Sequence, residues 1–268
     1  MDALLRKVTA WFRGFSAVNY AYPALDITLP GERKLHLVGS IHMGTRDMMP
    51  LPATLQQRII SADALIVEAD ITASGISPFT QSEPQLPLSD RLSADNRQTL
   101  QRLCDELTIS SELIDTLPGW QIALMLQAQQ AQQLGLRPDY GIDYQLLQMA
   151  KQRNLNVIEL EGPAQQLELL KTLPANGITL LEDTLLHWHT NARLLQTMIS
   201  WWLEKPPGQT QMALPTTFSR DLNDIMMNQR NQLWCKALHG LAAGRYVVAV
   251  GALHLYGEGN LPDLLNRR

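Results

Sequence analysis

Two apolar runs, one near each end of the chain, break at a glycine and deliver a histidine three residues later. The first is Leu35-His36-Leu37-Val38-Gly39-Ser40-Ile41-His42, followed by Met43-Gly44. The second is Tyr246-Val247-Val248-Ala249-Val250-Gly251-Ala252-Leu253-His254. Apolar runs without polar alternation read as strands buried on both faces, the habit of a parallel sheet. In an open parallel sheet the carboxyl ends share one edge, and ligands bind there. The two motifs therefore predict that folding brings His42 and His254 together as a reactive pair. For either motif alone, a strand-end glycine beside a core histidine is the simpler reading; the matched pair favours a site.

The intervening sequence supplies the rest of such a sheet. Residues 24–29, then Pro30-Gly31, then 34–38 read as a hairpin. A helix is expected over 53–61. The run Ala64-Leu65-Ile66-Val67 reads as a buried strand and ends in Glu68 and Asp70; Asn156-Val157-Ile158-Glu159-Leu160-Glu161-Gly162 reads as a further sheet strand, again ending in carboxylates, Glu159 and Glu161. Residues 71–88 carry clustered Ser, Thr, Pro and Gly and read as a mobile loop. Helical patterns cover 95–107, 110–116, 120–134, 144–152, 164–173, 180–203 and 218–238, with a linker over 206–215, a last strand over 245–250 and a closing helix from 261. Strands separated by helices predict an α/β fold with a largely parallel central sheet, an N-terminal β-hairpin and crossover helices. The helical blocks at about 90–135 and 165–235 exceed what crossovers need and are expected to cap one end of the sheet. The 268 residues suit one domain carrying these insertions.

Charge narrows the partners. A net charge of −4 and a pI near 5.9 leave no basic footprint for nucleic acid. No apolar run approaches the roughly 20 residues that span a bilayer. Residues 1–18 lack a proper signal-peptide core and cleavage site. They read as an amphipathic helix packed on the body, with membrane-surface contact as the alternative. Cys104 and Cys235 show no metal-finger or C-x-x-C spacing and read as reduced thiols of a cytoplasmic protein.

Four strand ends thus carry the chemistry: His42, Glu68 with Asp70, Glu159 with Glu161, and His254. Two imidazoles and a carboxylate suit zinc, manganese, cobalt or ferrous iron, and such an ion acidifies bound water and polarises a carbonyl. Glu68 is the third ligand or the general base for that water. Asp70 shares the site or caps its loop; Glu161 supports it or is a solvated strand end. Arg230, in a predicted helix, stabilises an oxyanion or is a surface arginine. Gly39 and Gly251 are expected to take positive φ or to let a substrate or metal approach the backbone. His187 and His189 lie two apart on a predicted helix and do not face the same way, so packing is favoured. His36 reads as a satisfied core histidine. Ser40 lacks a nucleophile-elbow sequence, and Gly257-Glu258-Gly259 lacks the third glycine of a dinucleotide fingerprint.

The segments Gly39-Ser40-Ile41-His42-Met43-Gly44, Ile66-Val67-Glu68-Ala69-Asp70, Gly141-Ile142-Asp143, Leu160-Glu161-Gly162, Gln229-Arg230-Asn231 and Val250–Gly257 together resemble the TraB/GumN (TraB/PrgY/GumN) family, which includes the animal Tiki proteases. The resemblance covers nearly the whole chain. It implies a fold like the erythromycin esterase and ChaN group, and a metal-dependent peptidase in the Tiki members. Carried over, it implies His42, His254 and Glu68 as the metal site, with Arg230 in the family's arginine-asparagine motif. The chain differs from many relatives in showing no signal peptide or membrane anchor, which speaks against an extracellular substrate. The leading expectation is a hydrolase of peptides or small molecules using Mn, Co or Zn. One alternative is a protein that binds a peptide or haem-like ligand without turnover. Another is a metal-free esterase-like hydrolase with His42 as base.

Overall fold

Five strands form one sheet in the computed structural model, which describes residues 20–72 and 82–267. The expected N-terminal helix and the middle of the 71–88 loop lie outside the described residues. β1 (Ala24–Leu29) and β2 (Arg33–Ser40) make the expected hairpin, turning through Gly31 at φ +77°. β3 (Ala64–Val67), β4 (Asn156–Glu159) and β5 (Gly244–Gly251) complete the sheet in the order β1-β2-β5-β3-β4. Only the β1 pairing is antiparallel. The sheet is α/β in character, and its parallel part has β5, last in sequence, near its centre. Both motif strands are therefore neighbours: Ser40 lies opposite Gly251 in the β2–β5 register.

The alternation of β5 explains how both faces are filled. Tyr246, Val248 and Val250 face a core shared with Trp234, Leu238 and Leu261. Val247 and Ala249 face the other, shared with Leu55, Ile59, Leu146 and Ala150. Helices α1 (Ala53–Ser61) and α4 (Ile142–Gln152) cover this second face, and Trp202 of a later helix joins its core. A third core, built without the sheet, joins α2 (Ala94–Leu107), α3 (Gly119–Gln133) and α6 (Ile178–Leu186) around Leu103, Ile122, Leu126 and Leu181. Of these helices, α6 follows α5 (Pro163–Lys171) in the second helical block.

Two helices differ from expectation. The single helix expected over 180–203 breaks at His187, whose φ/ψ of −101°/19° ends α6 and starts α7 (Trp188–Leu203). The break turns the buried Trp188 into the cap core, and Gln130 Nε2 donates to its carbonyl at 2.9 Å. The helix expected over 218–238 begins with a turn at Arg220–Asn223 and widens into a π-turn at Asp224–Asn228. It resumes as α8 (Gln229–His239), and α9 (Leu261–Asn266) closes the chain. None of the described helices is long and apolar enough to cross a membrane.

Candidate active site at the carboxyl edge of the sheet

His42 follows β2 by two residues and His254 follows β5 through the 3₁₀ turn Ala252–His254. Because those strands are adjacent and parallel, the two residues leave the sheet side by side. Trp202 Nε1 donates to the Gly39 carbonyl and fixes the first exit. The next turn is clamped from the opposite side. Ile142 N–H donates to Ile41 O at 2.9 Å, and Gly44 bridges Arg137 in both directions. A Cβ on Gly141 would stand 2.2 Å from His42 O, and one on Gly44 2.4 Å from Tyr140 O. Both glycines are required by close backbone approach.

Each imidazole is held by its Nδ1. His42 Nδ1 lies 2.9 Å from Asp143 Oδ2, in the first turn of α4; His254 Nδ1 lies 2.7 Å from Asn231 Oδ1, in α8. In each ring the remaining nitrogen is Nε2. The surroundings of the rings differ. The His42 side chain is 64% exposed at the mouth of the site, and the Asp143 carboxylate pushes its pKa up to about 9. His254 is buried against Trp234, with ring centroids 4.4 Å apart; burial drives its pKa down to about 4 despite the pull of Glu68.

Behind the imidazoles lies a buried ionic network. Arg230 donates through Nη2 to Glu68 Oε2 at 2.7 Å and to Glu161 Oε2 at 3.0 Å, and through Nε to Glu161 Oε1 at 2.8 Å. Its Nη1 reaches Met226 O and lies 3.4 Å from His254 Nε2. All five guanidinium N–H groups thus have acceptors. Arg230 therefore contributes its charge to the site, and one of its Nη1 hydrogens lies towards His254 Nε2. Trp234 Nε1 donates to Glu161 Oε1, and the ring lies beneath the guanidinium. Glu68 Oε1 accepts Gly251 N–H at 2.7 Å, and Gln166 Nε2 reaches Glu68 and Glu161 at 3.3 Å each. Burial would raise the Glu68 pKa. The charges of the imidazoles and Arg230, with the Gly251 N–H, overcome it and hold the carboxyl near 2. Since His254 is neutral at neutral pH, Arg230 and His42 are the charges that count there.

The structure thus brings His42, Glu68, Glu161, Arg230 and His254 into one arrangement. Asp70 and Glu159 are apart from it: Glu159 Oε1 accepts Asp70 N–H, and Asp70 Oδ1 caps Thr72. The positive-φ expectation for the two motif glycines does not hold. Neither Gly39 nor Gly251 takes positive φ. A Cβ on Gly39 would press on Ala252 at 3.1–3.2 Å, so its absence lets the two motifs pack on each other; Gly251 contributes its N–H to Glu68. His36 is the satisfied core histidine, between Asp26 and Tyr22. Ser40 Oγ is buried without a hydrogen-bond partner among the described residues. Sequence reasoning missed Asp143, Asn231, Gln166 and Trp234 as parts of the site. Position offered a signal for two of them: Asp143 in the first turn of a helix after Gly141, and Asn231 beside Arg230.

Could these residues hold a divalent metal? Nδ1-anchored histidines are the usual form of metal ligands, because the outer partner fixes ring orientation. Two carboxylates, Glu68 and Glu161, flank the one guanidinium, and a third, Asp143, pairs with His42. Among the described residues no three His, Cys, Asp or Glu side chains converge on one point. His42 and His254 are the donors that such an ion would take first, with Glu68, held by Arg230, beside them.

The chain is 55% identical over 265 residues to proteins named "Uncharacterized protein YbaP" from Escherichia coli (strain K12) and from Shigella flexneri, covering 99% of this chain and 100% of each relative. No solved structure matches. The model of the TraB/PrgY/gumN family matches residues 25–268, which include both glycine-histidine motifs, and the chain belongs to that family.

Proposed function

We propose that the chain is a metal-dependent hydrolase of peptide or related acyl bonds. The observation that carries this reading is the pair of Nδ1-anchored imidazoles on neighbouring parallel strands, above a buried, ionised glutamate. His42 and His254 would hold the ion through Nε2, with Glu68 beside them. A divalent ion supplies acidified water and a polarised carbonyl. The chain's own residues do the rest. Asp143 and Asn231 keep the rings oriented. Glu68, ionised at neutral pH, accepts the proton of the attacking water and passes it to the leaving group. Arg230 stabilises Glu68 in that ionised form and, with Glu161 and Trp234, keeps it in place.

A second, metal-free reading rests on the opposed imidazole pKa shifts. Groups whose environments push their pKa values apart are suited to opposite acid–base roles. Here His42 would be the proton donor to the leaving group, not the base, because Asp143 keeps it protonated.

The test is cleavage of a peptide library by purified protein supplied with Mn²⁺, Co²⁺ or Zn²⁺, or with a chelator. Cleavage that needs the ion and disappears in His42→Ala is the expected result. Chelator-resistant cleavage would select the metal-free reading. No cleavage with any ion would overturn the hydrolase reading.

A further inference from the structure

A groove of about 480 Å³ lies against Asn231 and Leu253, the neighbours of the buried His254. Asn231 is the residue that holds the His254 ring, so the groove and the candidate site share a boundary. Its apolar lining comes from Leu194, Met212, Leu214, Phe218, Met227 and Leu253. Met227 lies in the π-turn, a distortion frequent at functional sites.

The outer wall, residues 212–218, is a strap without regular structure, fixed at both ends. Gly257 N–H donates to Thr210 O at 2.8 Å, and Ser219 N–H donates to Asp183 Oδ2. Between these anchors, no hydrogen bond from the described residues takes up the backbone groups of residues 213–217. An exposed backbone row beside an apolar pocket is what an extended peptide needs: main-chain bonds for affinity and a pocket for an alternate side chain. The volume lies within the range of small-ligand sites, and methionine-rich walls adapt to unlike apolar shapes.

We infer that this groove is the substrate subsite for a large apolar side chain, and that the strap pairs with the backbone of an extended peptide running past His254. The inference rests on the hydrolase reading and narrows its substrate to peptides with a leucine- or phenylalanine-sized residue next to the reacting bond.

The test separates binding from turnover. A series of N-acetylated hexapeptide amides, differing only in a central Ala, Leu, Phe or Asp, is titrated by calorimetry into His42→Ala and assayed for cleavage by the wild type. The Leu and Phe peptides should bind His42→Ala at least about tenfold more tightly than the Ala peptide, the discrimination an apolar pocket gives. Adding Leu214→Trp, which fills the groove, should reduce that preference to under about threefold. Leu253→Ala, which enlarges it from the other wall, should shift preference from Leu towards Phe; thermal melts identify a variant that has lost its fold. Equal binding of all four peptides, no binding, or a preference untouched by both variants would overturn the inference. Cleavage without the preference would leave the hydrolase reading standing alone. The preference without cleavage would leave the subsite standing and remove the hydrolase reading.

Discussion

Asp143 decides the state of His42. Its carboxylate is nearly buried and 2.9 Å from Nδ1, so it both orients the ring and favours the imidazolium. Asp143→Asn keeps a hydrogen-bonding atom and removes the charge. The His42 pKa should fall towards the ordinary histidine value, about 6.5, as read from imidazole resonances by NMR in metal-free protein; an unchanged titration would show that Asp143 is not the cause. Arg230 acts at the same scale by neutralising two buried carboxylates. Arg230→Met leaves Glu68 and Glu161 buried without their cation, and breaking such a pair costs about 3–5 kcal/mol. Urea unfolding should show a loss of that size, with much of it recovered when Glu161→Gln is added. His42, Glu68 and His254 were legible in the sequence because each follows an apolar run. Arg230 was named as well, but the pairings were not legible, because His42 meets Asp143 across 101 positions and Glu68 meets Arg230 across 162. Such distances carry no local periodicity.

At the scale of elements, the start of α4 is a clamp on the first motif. Gly141 lies so close to His42 O that any Cβ overlaps the backbone. Gly141→Ala should therefore lower the melting temperature and loosen the His42 turn, seen as faster amide exchange at Ile142, whose N–H bonds Ile41 O. Unchanged exchange would refute the clamp. Short β3 was readable from four apolar positions, β4 from Val157 and Ile158 ahead of its acidic end, and α1 from its period between Pro52 and Ala62. The break at His187 and the π-turn before Arg230 were not. Nothing in those stretches resembles a helix stop; the first is set by the burial of Trp188 in the cap, and the second lies where α8 brings Arg230 to Glu68 and Glu161.

At the scale of the molecule, the sheet order places the last strand beside the first motif, so both ends of the sequence are needed to build one site. The polar strand ends made the shared sheet edge readable; the strand order and the filling of the cap core did not show themselves, since they depend on which strands and helices meet. A second polar cluster secures the hairpin to the rest. Asp26 accepts from Tyr20 and Arg58 and pairs with His36, which meets Tyr22. Burial alone would raise the Asp26 pKa; the bonds to His36 and Tyr20 and the charges of His36 and Arg58 bring it below its ordinary value. A depressed carboxylate contributes stability above its unfolded pKa, about 3.9, and loses it as pH falls through the folded value. Thermal melts on the acid side of about pH 4 should fall more steeply for wild type than for Asp26→Asn, although the variant is less stable at neutral pH; parallel curves would exclude this role.

The central claim is that His42 and His254, delivered by strands from opposite ends of the sequence, hold one divalent ion. Its most direct test is metal content and calorimetric uptake of Mn²⁺, Co²⁺ and Zn²⁺ by untagged wild type, His42→Ala and His254→Ala. The account predicts about one ion per chain in the wild type, as one shared site requires, with tight uptake lost in each single variant. Absence of uptake by the wild type, or uptake that survives both substitutions, would contradict it.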